Sequence, residues 1–145
     1  MDCIFCKIAA HLAEARIVYE DDSVIAFLAK DPISEGHTLV IPKQHFENLF
    51  DIEPSTLEKI SLAAKNIART YRRSLGIDAV NLLNASGKSA QQSVFHFHLH
   101  IVPRHENDGL DLWFLGGRSD STDQDKVLER IKKESISDSS LTGVR

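Results

Sequence analysis

The 145-residue chain lacks what several large functional classes require. No apolar run approaches the ~18 residues of a membrane span, and the opening MDCIFCKIAA has neither the basic n-region nor the long apolar core of a secretion leader. A cytoplasmic location is expected. Positive charge is not in excess. Seventeen Lys and Arg against 21 Asp and Glu leave a formal net charge of -4, which argues against a broad electrostatic grip on nucleic acid or an anionic membrane. Small ligands stay open. Cysteine is scarce: the two residues present stand together as Cys3-x-x-Cys6, and without a secretion leader that pair points to metal or redox chemistry rather than to a disulfide framework.

What the chain does have is 42% hydrophobic residues, enough to bury the core of one domain. Arg16–Glu20 and Val24–Leu28 are short segments rich in Val, Ile, Tyr and Phe around the turn DDS, and they predict a hairpin. A third strand is expected at HTLVIP, up to Pro42. From Ser55, Leu57, Ile60, Ala64, Ile67 and Tyr71 recur at spacings of three and four, Ser55-x-x-Glu58 has the form of a capping box, and Gly76 suits the C′ position; this predicts a long helix. Strands are expected at Ala79–Leu83 and Val94–Val102, with the polar loop NASGKSAQQS between them and Pro103 ending the second. Beyond Gly117 a short helix is expected at Asp125–Lys133, with Val127, Leu128 and Ile131 on one face, followed by a frayed Ser- and Asp-rich tail. The domain is set at 1–117 and the extension at 118–145.

The most specific stretch is HFHLH, which places three of the seven histidines within His96 to His100. In a strand, alternation would put Val94, His96, His98, His100 and Val102 on one face and Phe95, Phe97, Leu99 and Ile101 on the core face. At ~3.3 Å per residue, His96 and His100 would lie ~13 Å apart, too far for one ion with bonds of ~2 Å to hold all three rings. A pair spaced by two can still share a metal, and the competing reading is a solvated or dimer-buried histidine face. A neutral imidazole whose other nitrogen is held as a donor is a good nucleophile near neutral pH. Asn84, Ser93 and the backbone around Gln92 offer the neutral donors that phosphoryl transfer needs. Together, row and loop read as a phosphate site.

QSVFHFHLHIVPR, with GHTLVIPKQH, CIFCKI and RHENDGL, resembles the histidine triad (HIT) family in its bacterial-type, zinc-binding branch, over about residues 3 to 110. The resemblance implies an α+β fold with a five-stranded antiparallel sheet, one long and one short helix, and a homodimer that continues the sheet. It implies hydrolysis of a purine nucleotide or nucleoside phosphoramidate at the α-phosphate. His98 would be the nucleophile and form a nucleotidyl-histidine, with His100 and His37 beside it in the catalytic site. Asn84, Gln92 and Ser93 match phosphate-loop positions, and Phe5, Ile8, Phe27 and Leu28 resemble a base-holding wall that on composition alone reads as core. Cys3, Cys6, His45 and His96 would hold a structural zinc, closed to substrate because four N/S ligands leave no open position. Two positions depart from the family pattern. Ala29 stands where ribose is commonly hydrogen-bonded, and Gln91 stands where Gly is usual, so a phosphate loop of different shape is expected. A nucleotide-binding protein with little turnover and a zinc-stabilised interaction module are the alternatives.

Overall fold

The computed structural model describes residues 2–112 and 123–134. Five strands form one antiparallel sheet: β1 (Ile17–Glu20), β2 (Val24–Leu28), β3 (Thr38–Pro42), β4 (Ala79–Leu83) and β5 (Leu99–Arg104), in the order β1-β2-β3-β5-β4. The helices are α1 (Ile4–Ala9), α2 (Pro54–Ser74) and α3 (Gln124–Lys133). This is the expected α+β architecture, with α1 as an additional short helix. The chain divides into two units, Met1–Leu110 and Asp111–Arg145. The expected boundary at 117/118 and the tail beyond Glu134 lie outside the described residues. No helix among the described residues is long and apolar enough to cross a membrane.

The near-continuous apolar sequence of β2 is explained by burial on both faces. Val24 and Ala26 join Val40, Phe97, Ile101 and the α2 residues Ile60, Ala64 and Ile67 in one cluster. Ile25 and Phe27 join Ile41 and the α1 residues Phe5 and Ile8 in the other. Each fully buried aliphatic or aromatic side chain of this kind contributes ~1.5–3 kcal/mol relative to exposure. The β1–β2 turn is closed by the Asp21 carboxylate, which accepts from the backbone N–H groups of Ser23 and Val24 at 2.7 and 2.8 Å.

Four expectations are corrected. The α2 helix starts at Pro54 with Glu53 as N-cap and no side-chain cap hydrogen bond, so Ser55 and Glu58 form no capping box; proline at the first helical position needs no N–H partner and starts the helix by itself. Its end is as expected, with Gly76 at φ +66° just beyond Leu75. The fifth strand is not Val94–Val102 but Leu99–Arg104. The β3–β5 ladder runs Thr38–Ile101, Leu39–His100, Val40–Leu99, and two residues further it would meet Pro42, which has no N–H to donate. Phe97 instead gives its N–H to Phe46 O at 2.7 Å. Phe95, expected on the core face, is accordingly exposed. Pro103 does not end the strand: it pairs with Val80 of β4, beyond the last β3 partner.

Candidate active site and metal centre

Leaving the ladder at Leu99 frees the segment Val94–His98 to fold over the α1 face of the sheet. There it buries two of the three histidine rings, His96 completely and His98 to 3% exposure. Phe5 of α1 packs edge-on against His98, His96 and Phe27, with ring centroids 5.2, 5.9 and 5.6 Å away. Burial lowers the pKa of His98 and of His96, against the opposing effect of the carbonyls each donates to, because the charged imidazolium is the form that loses water. Both are neutral at physiological pH.

The hydrogen bonds then fix which nitrogen carries the proton. His98 Nδ1–H donates to His96 O at 2.8 Å, so the lone pair of His98 lies on Nε2. His37, buried, accepts the Ile33 N–H on Nδ1 at 3.2 Å and therefore donates through Nε2–H to His100 Nδ1 at 2.9 Å. His100 is left with Nε2–H as a donor. Burial, then the electrostatic cost of adding a charge beside the His98 and His37 rings, pushes His100 down to about 4; burial also lowers His37. His98 and His100 stand with ring centroids 5.0 Å apart. An acceptor-bearing nitrogen and a neutral donor are thus side by side, as attack on an anionic phosphorus centre requires.

The residues expected at phosphate-loop positions divide. Gln92 is buried and both ends of its amide are committed: Oε1 accepts the Gly87 N–H at 2.7 Å, while Nε2 donates to Glu47 O and Val94 O at 2.6 and 3.1 Å. It shapes the loop. Asn84 Nδ2 donates to His98 O at 2.9 Å, and Ser93 is exposed. Gln91 does not avoid the left-handed region that glycine would favour: it takes φ +66° after the 3-10 turn Lys88–Ala90. A non-glycine side chain there costs ~1–2 kcal/mol, offset by the hydrogen bonds that Gln92 and Gly87 make around it. Phe5, Ile8 and Phe27 are members of the buried cluster, Leu28 is half-buried and Ala29 is at 9% exposure. A shallow groove lined by His11, Leu12, Ala13, Glu14, Ala15 and Ile17 lies elsewhere and contains none of these side chains.

Cys3, Cys6, His45 and His96 come together from α1, the turn after β3 and the segment before β5, with all four ligand atoms within 4.8 Å of one another. Sulfur to ring-nitrogen distances are 3.6 Å for Cys3–His96, 3.3 Å for Cys6–His45 and 3.5 Å for Cys6–His96. A tetrahedral ion with bonds of ~2.3 Å to sulfur and ~2.05 Å to nitrogen sets that edge at about 3.5 Å. His96 gives its Nε2–H to Pro42 O at 2.8 Å, so its Nδ1 lone pair faces the thiols, as a metal-ligating histidine held by an outer hydrogen bond does. The donor set fits a metal.

Comparison with known proteins agrees with this geometry. The model of the HIT domain matches residues 11–107. An uncharacterized HIT-like protein of Methanocaldococcus jannaschii is 42% identical over 130 residues, covering 90% of this chain and 98% of that one. Adenylylsulfatase HINT3 of Arabidopsis thaliana is 38% identical over 109 residues, covering 75% and 55%. The crystal structure of a Zn-bound histidine triad family protein from Mycobacterium smegmatis superimposes with a TM-score of 0.74 at 36% identity, covering 92% of this chain and 97% of that one. With the HIT domain matched over residues 11–107 and the Methanocaldococcus jannaschii relative matched over 98% of its length, the chain belongs to the HIT domain family.

Proposed function

We propose that the protein is a hydrolase that cleaves a purine nucleotide, in the first instance a nucleoside phosphoramidate, at the α-phosphate through a covalent nucleotidyl-His98. The observation that carries this reading is the His98 Nδ1–H bond to His96 O, which leaves Nε2 as the nucleophilic lone pair of a neutral imidazole. The lone pair attacks the α-phosphorus and the P–N bond to the leaving amine breaks. The amine departs with the bonding pair and takes a proton from solvent. Water then attacks the phosphorus of the adduct, the histidine–phosphorus bond breaks, a proton returns to solvent, and nucleoside monophosphate is released. His100 Nε2–H, held by His37, donates to the phosphoryl oxygens as charge builds on them. Kinship with an adenylylsulfatase supports an adenylyl group as the electrophile.

Zinc is the metal proposed for Cys3, Cys6, His45 and His96, where it would tie α1 to the segment bearing His98. Its four protein ligands leave no position for substrate. Asn84, Gln92 and Ser93 form the phosphate loop, partly by shaping it. Phe5, Ile8, Phe27 and Leu28 back the base site from the core. The working unit is a homodimer in the cytoplasm, with residues 118–145 as an extension of the catalytic domain. Incubation with adenosine 5′-phosphoramidate followed by an alkaline quench, which spares the acid-labile bond, tests the mechanism. An adenylyl adduct mapped to His98 is expected. Undiminished turnover by His98→Ala would overturn the covalent mechanism, whereas nucleotide binding without turnover in the wild type would favour a binding protein.

A further inference from the structure

Asn84 reaches the main chain of the nucleophile, and its own orientation is set by a residue that none of the roles above includes. Leu49 N–H donates to Ser86 Oγ at 3.0 Å. The oxygen that accepts this bond keeps its own hydrogen, and Ser86 O–H gives it to Asn84 Oδ1 at 2.7 Å. An amide whose oxygen is held in this way must present its nitrogen on the other side, and Asn84 Nδ2–H meets His98 O at 2.9 Å. Every donor in the chain has one polarity, so the relay runs from the 47–51 turn to the backbone of His98 without ambiguity.

The far end of the relay is anchored. Within the 47–51 turn, the Asp51 carboxylate accepts the backbone N–H groups of Glu47 and Asn48 at 2.9 and 2.8 Å, and those two bonds hold its pKa below the usual carboxylate range. The turn also follows directly on His45 and on Phe46, whose carbonyl takes the Phe97 N–H. His98 lies outside the sheet ladder, so its carbonyl is held by this side-chain contact where a strand residue would have a backbone partner.

We propose that Ser86 is a positioning residue for His98. By fixing the Asn84 amide it holds the carbonyl of residue 98, and with it the backbone from which the imidazole projects toward phosphorus. The proposal rests on His98 being the nucleophile. Removing the hydroxyl leaves Asn84 Oδ1 without its donor and lets the exposed amide swing away, so that Nδ2–H no longer holds His98 O. Small displacements of a reacting group cost up to ~10²-fold in rate, and loss of one hydrogen bond two residues removed places the expected loss at about 10-fold.

The test compares wild type, Ser86→Ala, Ser86→Thr, Asn84→Ala and the Ser86→Ala/Asn84→Ala double variant with adenosine 5′-phosphoramidate as substrate. Expected are a kcat about 10-fold lower for Ser86→Ala with KM within about twofold, recovery of most of the rate by Ser86→Thr, and no further loss when Ser86→Ala is added to Asn84→Ala. The carbonyl ¹³C resonance of His98 should shift in Ser86→Ala and return in Ser86→Thr, a readout independent of turnover. Wild-type kcat in Ser86→Ala, additive losses in the double variant, or an unmoved His98 carbonyl resonance overturns the proposal. Turnover by His98→Ala together with a carbonyl shift in Ser86→Ala would instead remove the nucleophile assignment and leave the relay standing as a purely structural one, which also overturns Ser86 as a positioning residue for catalysis.

Discussion

His96 O accepts the Nδ1–H of His98 at 2.8 Å. The residue that completes the Cys/His cluster therefore also sets the tautomer of the ring proposed as nucleophile. One backbone carbonyl joins the proposed metal site to that ring.

For catalysis, the expected order of damage follows from what each ring supplies. His98→Ala and His98→Asn both remove the nitrogen that bonds phosphorus, and no adduct should be trapped from either. His100→Ala removes one donor to the developing charge, so the adduct should still form, ~10²–10³-fold more slowly. Rapid-quench measurements of adduct formation check both.

For the metal, purified protein should carry about one zinc per chain, measured by elemental analysis. Cys6→Ser and His45→Ala should each lower that content. Prolonged chelation should lower the melting temperature of the wild type, because α1 then loses its tie to the His96 segment. Equal melting curves with and without chelator would contradict a structural metal.

For pH, the depressed His100 pKa gives the sign. The unfolded group, near 6.5, takes up a proton before the folded one, near 4, so the unfolded state binds more protons between those values and stability falls as pH drops through that window. It is fully present above about 6.5 and levels off below about 4. Because carboxylates titrate over the same range, the comparison is with His100→Gln. The stability of wild type relative to this variant, from urea unfolding, should decrease from pH 6.5 to 4 and be flat from 7 to 8.

For the phosphate loop, the left-handed Gln91 makes a separable prediction. Gln91→Gly relieves ~1–2 kcal/mol of backbone strain but gives back ~0.4–1 kcal/mol through a more flexible unfolded chain. A net stabilisation of up to ~1.5 kcal/mol is expected from denaturant unfolding. Gln91→Val, β-branched at φ +66°, should destabilise by more than that.

Much of the fold was legible in local patterns. The Val-, Ile-, Tyr- and Phe-rich runs of β1 to β3 and the three-four spacing of α2 are statements about neighbouring residues, and those strands and the helix formed at or close to the expected positions. The two-sided burial of β2 likewise follows from its unbroken apolar run. The triad, with Cys3-x-x-Cys6 upstream, was specific enough to indicate the family and to name the two cysteines and two histidines whose ligand atoms the fold brings within 4.8 Å of one another. What the sequence could not decide was where the histidine row leaves the sheet. Val94 to Val102 alternates as a strand should, but the ladder stops because Pro42, on the neighbouring strand, has no N–H, and because Phe46 offers a carbonyl to Phe97. Those partners lie about fifty residues away along the chain. The same holds for Asn84 and Gln92, which look like phosphate ligands in sequence and spend their amides on His98, Glu47 and Val94. Side-chain periodicity is encoded locally, whereas the pairing of a buried donor with its acceptor is settled only when distant segments meet and every polar group must find a partner.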